Sequence, residues 1–279
     1  MHPVVNHLIQ LQELTLIRDE QKIAAQGLHL QQLDAAIKSM SGKLPSETRT
    51  QFDKLAKRDP IVISAISDSH CSVCGLRLAI SFVQSVRQAH EVLACPNCAR
   101  MLYYPESRVS SSTKAPRRMA PRKVGISRFS SHSLMIPRLD ATEKEGAIRE
   151  IGLKMAEEGF VDNGPKFIEE ALRREAILST AVEHGLAFPH VRGVEGGGLS
   201  LALAISEKGI DFGGGDDQPK TRMFFMLAIP VAASAFYLKL LAGLTEAFRN
   251  PENRKAILSP KDPEALWKAL VKATRSTIK

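Results

Sequence analysis

The sequence lacks both a secretory signal and an apolar run long enough to cross a membrane. Its longest apolar run, residues 223–238, is shorter than the roughly 20 residues that a transmembrane helix needs, and Pro230 interrupts it. The first residues, MHPVVNHLIQLQELTL, have no basic segment followed by an uninterrupted apolar one. We therefore expect no membrane insertion and a location in the cytoplasm.

Acidic residues are nearly absent from one stretch of the chain, residues 106–133. This stretch holds seven Lys or Arg against one Glu, so it carries six of the eight net positive charges. Because Ser, Pro and basic residues dominate it, we interpret it as a linker. It is either a solvated tether or a docking strip for an anionic partner. The candidate docking residues are Arg117, Arg118, Arg122 and Lys123.

Residues 1–60 are predicted to form a helical hairpin or short coiled coil. Apolar side chains recur at alternating spacings of three and four, which is typical of a helix seam. The seam consists of Leu30, Leu33, Ile37, Met40 and Leu44. Pro45 interrupts the helix, and a second short helix is expected to end near Lys57. The pair of helices would either fold together or dimerise.

All four cysteines lie in residues 61–105, directly after the alternating β-branched stretch IVISAIS, which predicts a strand. They form two C-x2-C pairs separated by twenty residues, and a hairpin that joins two such pairs would give a tetrahedral thiolate site suited to Zn²⁺. Four thiolates leave no open position, so the zinc would be structural. Disulfides fit poorly with a chain that has no secretion signal. The predicted ligands are Cys71, Cys74, Cys95 and Cys98.

The segment from VISAISDSHCSVC to CPNCARMLYY resembles the C4-type zinc ribbon that follows a coiled coil in a group of bacterial proteins. The similarity extends over about residues 8–105, with a shorter coiled coil than is usual in that family. It implies either nucleic-acid binding or protein binding, including assembly of a homo-oligomer. The ribbon itself has few aromatic side chains for stacking on bases, namely Phe82, Tyr103 and Tyr104.

Strand and helix patterns interleave from residue 134 to 279, which predicts an α/β domain with a mixed sheet flanked by helices. LSLALAIS and RMFFMLAI are expected strands. Pro165 suits the first turn of one helix, and Asp262 with Pro263 suits the start of the last. The complete chain is thus predicted to be multidomain.

His190 stands in the stiffened motif GLAFPHVR, after Pro189 and before a glycine run that includes Gly196 to Gly198. A neutral imidazole is nucleophilic, and it titrates near neutral pH. Backbone N–H groups together with an arginine could hold a dianion at this place. The available cations are Arg173, Arg174 and Arg192.

The wider stretch LRREAILSTAVEHGLAFPHVR resembles enzyme IIA of the fructose-mannitol and nitrogen-regulatory class of the bacterial phosphoenolpyruvate-dependent phosphotransferase system. The resemblance implies that His190 accepts a phosphoryl group from an HPr-type phosphocarrier. It assigns Arg174 as the cation near the phosphate. Ser179 and Thr180 would either line the same pocket or form a plain turn.

The sequence departs from this family at a second active-site histidine. Tyr237 stands at that position, and no histidine follows His190. A phenol is neutral at pH 7, so it cannot supply a positive charge. We therefore expect a regulatory phosphohistidine carrier with an unidentified protein partner, rather than a sugar-transferring enzyme. The alternative is a nucleic-acid-binding zinc-ribbon protein with a silent IIA-like sensor domain.

Overall fold

A computed structural model describes residues 3–24, 30–67, 69–88, 90–104, 124–194, 198–213, 219–230 and 234–278. The chain divides into two compact units. One comprises residues 1–108 and 234–238, and the other comprises 109–233 and 239–279. Most of the predicted basic linker lies outside the described residues, as do Gly196 and Gly197. No helix in the described ranges has the length and apolarity to span a membrane.

The first unit begins with three helices, which are α1 (Pro3–Ala24), α2 (Leu30–Gly42) and α3 (Ser46–Ala56). Helices α1 and α2 pack together, and Pro45 immediately precedes α3. The predicted helices and the break between them are therefore present. Their buried apolar core consists of Val5, Leu8, Leu11, Leu44, Phe52, Val62, Ile63 and Met101.

A small sheet and one helix complete this unit. The strands are β1 (Ile63–Ser67), β2 (His70–Cys71) and β3 (Met101–Tyr103), and α4 (Ile80–Gln88) lies between β2 and β3. Strand β1 pairs with β2 in antiparallel and with β3 in parallel orientation. The expectation of one hairpin joining the cysteine pairs is wrong, because a parallel pair needs a crossover connection and α4 provides it.

The second unit is built on a mixed six-stranded sheet. Its strands are β4 (Met135–Ile136), β5 (Ala181–Val182), β6 (Leu186–Ala187), β7 (His190–Arg192), β8 (Ser200–Ile210) and β9 (Thr221–Ile229). The order is β4-β8-β9-β6-β5, and β7 also pairs with β9. Strands β8 and β9 are antiparallel, whereas β4 runs parallel to β8, and β6 and β7 run parallel to β9. Both long strands are buried over most of their length, which fits a sheet covered on both faces.

Five helices lie within residues 144–274, which belong to this second unit except for residues 234–238. They are α5 (Lys144–Glu157), α6 (Gly164–Ile177), α7 (Ser234–Arg249), α8 (Pro251–Leu258) and α9 (Pro263–Thr274). Asn163 caps α6 by accepting from the Lys166 N–H, and Asp262 caps α9 by accepting from the Ala265 N–H. The multidomain class predicted from the sequence, helices and a four-cysteine segment followed by an α/β unit, is confirmed.

Residues 124–133, the end of the predicted linker, form two short 3-10 helices, Gly125–Arg128 and His132–Leu134. Ile126 is buried, α9 contacts both short helices, and the Ser130 hydroxyl donates to the carbonyl of Leu201 in β8 at 2.6 Å. This short stretch therefore packs onto the second unit and carries no linker character of its own.

Helices α5 and α6 approach closely at Gly152. A Cβ atom added there would lie 2.6 Å from Cγ1 of Ile168, which is buried in α6. We expect Gly152→Ala to destabilise this unit by about 1–3 kcal/mol, because packed cores resist added atoms. Denaturant unfolding followed by the fluorescence of Trp267, the only tryptophan and a residue of α9, measures the change.

The control for this prediction is the same substitution in an Ile168→Ala background. There the obstructing Cγ1 is gone, and alanine is a better helix former than glycine. Gly152→Ala should then be neutral or stabilising relative to Ile168→Ala alone. An equal loss of stability in both backgrounds would contradict the packing explanation.

Candidate functional site

The four cysteine sulfur atoms lie together, all within 4.8 Å of one another. Two of the separations are 3.8 Å, between Cys71 and Cys98, and 3.6 Å, between Cys74 and Cys95. A tetrahedral Zn²⁺ with bonds of about 2.3 Å to sulfur requires separations of roughly 3.8 Å, so the donor set and its spacing fit zinc. All four predicted ligands are brought to one place.

Each cysteine pair occupies its own tight turn, and the two turns share one geometry. The Gly75 N–H donates to the Cys71 carbonyl at 2.8 Å, and the Ala99 N–H donates to the Cys95 carbonyl at 2.9 Å. Both donors have left-handed backbone conformations, with φ of +71° at Gly75 and +60° at Ala99. Glycine adopts this conformation without strain, whereas alanine does not.

The thiol groups differ in their readiness to ionise. Burial raises the pKa of Cys74, but hydrogen bonds from the Leu76 backbone and the Asn97 side chain outweigh it and lower that pKa to about 6. Burial raises the pKa of Cys95 to about 12 and also raises that of Cys98. A divalent cation therefore has to displace protons from the cluster in order to bind.

Arg100 connects this cluster to the start of the sheet. Its guanidinium donates to the Ile61 carbonyl at 2.8 Å, pairs with the Asp59 carboxylate at 2.6 Å and also hydrogen-bonds Cys98. The positive charge of this side chain offsets part of the negative charge that four thiolates bring together. Sequence inspection missed Arg100, because nothing local to CPNCAR distinguishes a sulfur-bonding arginine from a solvated one.

His190 begins β7, and its side chain is 1% exposed. The Nδ1 atom lies 2.9 Å from the Phe188 carbonyl oxygen. Because a carbonyl can only accept, Nδ1 carries the ring proton and donates it. In the neutral ring the lone pair therefore resides on Nε2, which makes Nε2 the nucleophilic atom.

Phe188 and Pro189 anchor the histidine to the centre of the sheet. The Phe188 ring stacks on that of Phe225 in β9, with centroids 5.3 Å apart, and the Pro189 carbonyl accepts from the Leu227 N–H at 2.9 Å. Strand β7 then pairs with β9, with His190 opposite Leu227. Strands β6 and β7 both pair in parallel with β9, and Pro189 separates them because it has no N–H to donate to the ladder.

The other predicted site residues lie at the C-terminal end of α6 and in the turn that follows. Arg174 is 7% exposed, and its guanidinium donates to the Leu178 carbonyl at 2.9 Å. The Ser179 hydroxyl donates to the Phe212 carbonyl at 2.7 Å. The Thr180 carbonyl accepts from the Phe188 N–H at 3.1 Å, and the carbonyl of the same Phe188 accepts from the His190 ring. Tyr237 is buried in the first turn of α7.

Glu175, which sequence inspection passed over, is also buried here. Its two carboxylate oxygens accept from the Thr180 N–H and from the Thr180 hydroxyl, each at 2.7 Å. Burial raises the pKa of this carboxyl above its usual value, although the hydrogen bonds from Thr180 and the charge of Arg174 oppose the rise. Arg192 lies two residues after His190 in β7, so its side chain leaves the strand on the same face.

Metal binding at the cysteine cluster should strengthen with pH. Zinc releases protons from the thiols, so protons compete with it and its affinity should fall as the pH decreases. We expect one Zn²⁺ per chain, and Cys95→Ser should lose it. Metal analysis of the reduced protein and competition with a chelator between pH 6 and pH 8 measure both effects. Ser72→Ala serves as the control for a substitution in the same turn, and an affinity independent of pH would contradict thiolate ligation.

The shared turn geometry predicts opposite effects for two reciprocal substitutions. Ala99→Gly should raise the stability of the metal-loaded protein by up to about 1 kcal/mol, because it removes left-handed strain. Gly75→Ala should lower it by about 1 kcal/mol, although a Cβ atom has open space there. Thermal unfolding of the zinc-loaded proteins, followed by circular dichroism, compares the two variants. Shifts of the same sign would exclude a backbone origin.

Comparison with known proteins finds two family models that match different parts of the chain. The family model "Phosphoenolpyruvate-dependent sugar phosphotransferase system, EIIA 2" matches residues 129–273, and the model "C4-type zinc ribbon domain" matches residues 70–102. The first match extends over more than half of the chain and includes His190, and the second includes all four cysteines.

Individual relatives align with the C-terminal unit. The PTS system fructose-specific EIIA component of Haloferax volcanii is 28% identical over 127 residues, which is 46% of this chain and 82% of that protein. The nitrogen regulatory protein of Bradyrhizobium diazoefficiens is 31% identical over 136 residues, which is 49% of this chain and 88% of that protein. The crystal structure of nitrogen regulatory protein IIA-Ntr from Neisseria meningitidis aligns over 51% of this chain and 97% of its own, with 21% identity and a TM-score of 0.47.

A phosphotransferase-type match over half of the chain, together with relatives aligned over most of their own length, determines the family. The chain belongs to the EIIA 2 family of the phosphoenolpyruvate-dependent sugar phosphotransferase system, and it carries an N-terminal C4-type zinc ribbon.

Proposed function

We propose that this protein is a regulatory phosphohistidine carrier in which Nε2 of His190 accepts a phosphoryl group from an HPr-type phosphocarrier. The observation that carries this proposal is the hydrogen bond from Nδ1 to the Phe188 carbonyl, since it leaves the lone pair on Nε2. Regulation, rather than sugar transfer, is supported by Tyr237 at the second histidine position and by the similarity to a nitrogen regulatory protein.

The transfer step balances without loss of the Nδ1 proton. The N–P bond of a protonated phosphohistidine on the carrier breaks, and its electron pair returns to the carrier ring, which becomes neutral. The Nε2–P bond forms, and the His190 ring takes up the positive charge. The Phe188 carbonyl then accepts from a charged N–H, and such bonds are stronger than neutral ones. The fixed carbonyl thus stabilises the phosphorylated ring more than the free ring.

Charge neutralisation is assigned to two arginines. Arg174 lies on α6, which packs against β7, and Arg192 leaves β7 on the same face as His190. Phosphoryl transfer depends mainly on positioning and on such electrostatic stabilisation. Because His190 is 1% exposed, the transfer also requires a movement that uncovers the ring for the carrier.

The cysteine-rich unit is proposed to bind the partner that responds to phosphorylation. Replacement of a neutral ring by a dianionic group is enough to recruit or repel a neighbouring surface. A protein partner, a nucleic acid and a second copy of the chain remain separate predictions for this unit. The basic residues proposed for docking, such as Arg117 and Arg122, lie outside the described residues. Zinc thiolates require reduced cysteines, which supports the cytoplasm as the place of action.

The proposed function is tested by intact mass after incubation with phosphoenolpyruvate, enzyme I and HPr at neutral or basic pH. We expect the gain of one phosphoryl group in the wild type and in His184→Gln, and no gain in His190→Gln. His184 is the control because it is another histidine, six residues earlier in the chain and exposed.

The position of the phosphoryl group is the second readout of this test. NMR of the ¹⁵N-labelled phosphoprotein should place it on Nε2, because Nδ1 donates to the Phe188 carbonyl. If His190→Gln still gains a phosphoryl group, the acceptor is a different residue. Attachment at Nδ1 would contradict the assignment of the nucleophilic atom.

A further inference from the structure

The turn that precedes His190 contains one irregular step of the antiparallel ladder. Strands β5 and β6 pair Val182 with Leu186 and Ala181 with Ala187, so the next step places Thr180 opposite Phe188. The Phe188 N–H donates to the Thr180 carbonyl at 3.1 Å, which marks this step as a hydrogen-bonded pair. In a regular pair of this kind the two residues exchange both of their N–H···O bonds. The Thr180 N–H would then donate to the Phe188 carbonyl.

The second bond of that exchange is replaced by two others. The Thr180 N–H donates to Oε1 of Glu175 at 2.7 Å, and the Phe188 carbonyl accepts from Nδ1 of His190 at 2.9 Å. The carboxylate has therefore taken the donor, and the imidazole has taken the acceptor, of one ladder hydrogen bond. The side chains of Glu175 and His190 and the backbone of Thr180 and Phe188 thus form a continuous chain of hydrogen bonds from α6 to β7.

We propose that Glu175 is a positioning residue that keeps His190 in the Nδ1–H tautomer by occupying the Thr180 N–H. Without an acceptor on residue 175, the buried Thr180 N–H would turn to the Phe188 carbonyl, its partner in a regular ladder, because an unpaired buried donor is costly. It would then compete with His190 Nδ1 for that oxygen. The consequence for phosphorylation rests on the function proposed above, but the effect on the tautomer does not.

The burial of Glu175 supports a specific role over a merely tolerated charge. The residue is 4% exposed, and a buried carboxylate is unfavourable unless donors satisfy it. Both of its oxygens are used by one residue, Thr180, through the backbone N–H and through the hydroxyl. The hydrogen bond from the Thr180 hydroxyl holds the turn in place without involving the Phe188 carbonyl. Only the bond to the backbone N–H acts on the Phe188 carbonyl, and this difference makes the two contributions separable.

The test measures the tautomer of His190 by long-range ¹H–¹⁵N NMR on the full-length, zinc-loaded protein with ¹⁵N-labelled histidine. The His190 signals are identified by their loss in His190→Gln. The wild-type protein should show a protonated Nδ1 and an unprotonated Nε2. Glu175→Met, which has similar volume and no comparable acceptor, should shift the population toward the Nε2–H form that a free imidazole favours.

Two variants separate the tautomer effect from a general loss of stability. Glu175→Gln should retain the Nδ1–H form, because its amide oxygen can accept from the Thr180 N–H while its NH₂ donates to the hydroxyl. Thr180→Val should also retain it, since it removes the hydroxyl and leaves the backbone N–H in place. Glu169→Met, at an exposed position of α6, controls for the substitution itself. If Glu175→Met does not fold, Glu175→Leu replaces it, because its side chain also has no acceptor for the Thr180 N–H.

Phosphorylation rates provide the second readout. We expect Glu175→Met to accept a phosphoryl group on the order of tenfold more slowly than wild type, which is the factor that corresponds to one hydrogen bond. Glu175→Gln should stay close to wild type. An unchanged His190 tautomer in folded Glu175→Met or Glu175→Leu overturns the proposal, as does an equal shift in Glu175→Gln and Glu175→Met. A tautomer shift in a protein that is never phosphorylated would reject the proposed function and uphold this inference.

Discussion

The hydrogen bond between the His190 ring and the Phe188 carbonyl determines what this site is able to do. It determines which ring nitrogen holds the lone pair, and it holds the ring in one orientation on β7. The bond exists because Phe188 lies just beyond the end of β6, where the ladder with β5 does not use its carbonyl. Glu175, Thr180, Phe188 and Pro189 each contribute to that situation through backbone contacts. The chemistry of one side chain thus depends on how a strand pairing ends.

The same dependence explains which features the sequence reveals. Helix starts are local, so Asn163 with Pro165 and Asp262 with Pro263 mark α6 and α9 correctly. Asn250 with Pro251 is an equivalent signal for α8. Helix α5 has no such signal, since Glu143 precedes it without a side-chain cap. The four-cysteine cluster was predictable because four cysteines in two close pairs leave few alternatives.

Contacts between residues that are distant in the sequence were not predictable in this way. The parallel contact between β1 and β3 and the helix α4 between the cysteine pairs depend on tertiary packing, which the alternation of IVISAIS does not encode. Glu175 and Arg100 show the limit most clearly. Each is an ordinary charged residue in the sequence, and each acquires its role from a carbonyl or N–H group that the fold brings near it. Motif similarity indicated His190, but which ring nitrogen holds the lone pair depends on Phe188.

The two candidate centres place different demands on the chain. The cysteine cluster needs only four sulfur atoms at a separation of about 3.8 Å, and two similar turns supply them even though Ala99 is strained. The phosphoryl transfer proposed for the histidine would require one defined tautomer, a stabilised positive charge after transfer and access for a large donor. Burial of the ring serves the first requirement and opposes the third. It also disfavours the positive charge, which the hydrogen bond to the Phe188 carbonyl has to offset. A carrier that passes phosphate rapidly to a sugar transporter would be limited by such burial, whereas a regulator that holds its phosphate benefits from slow exchange. The burial of His190 and the presence of Tyr237 at the second histidine position therefore both support the regulatory role proposed above.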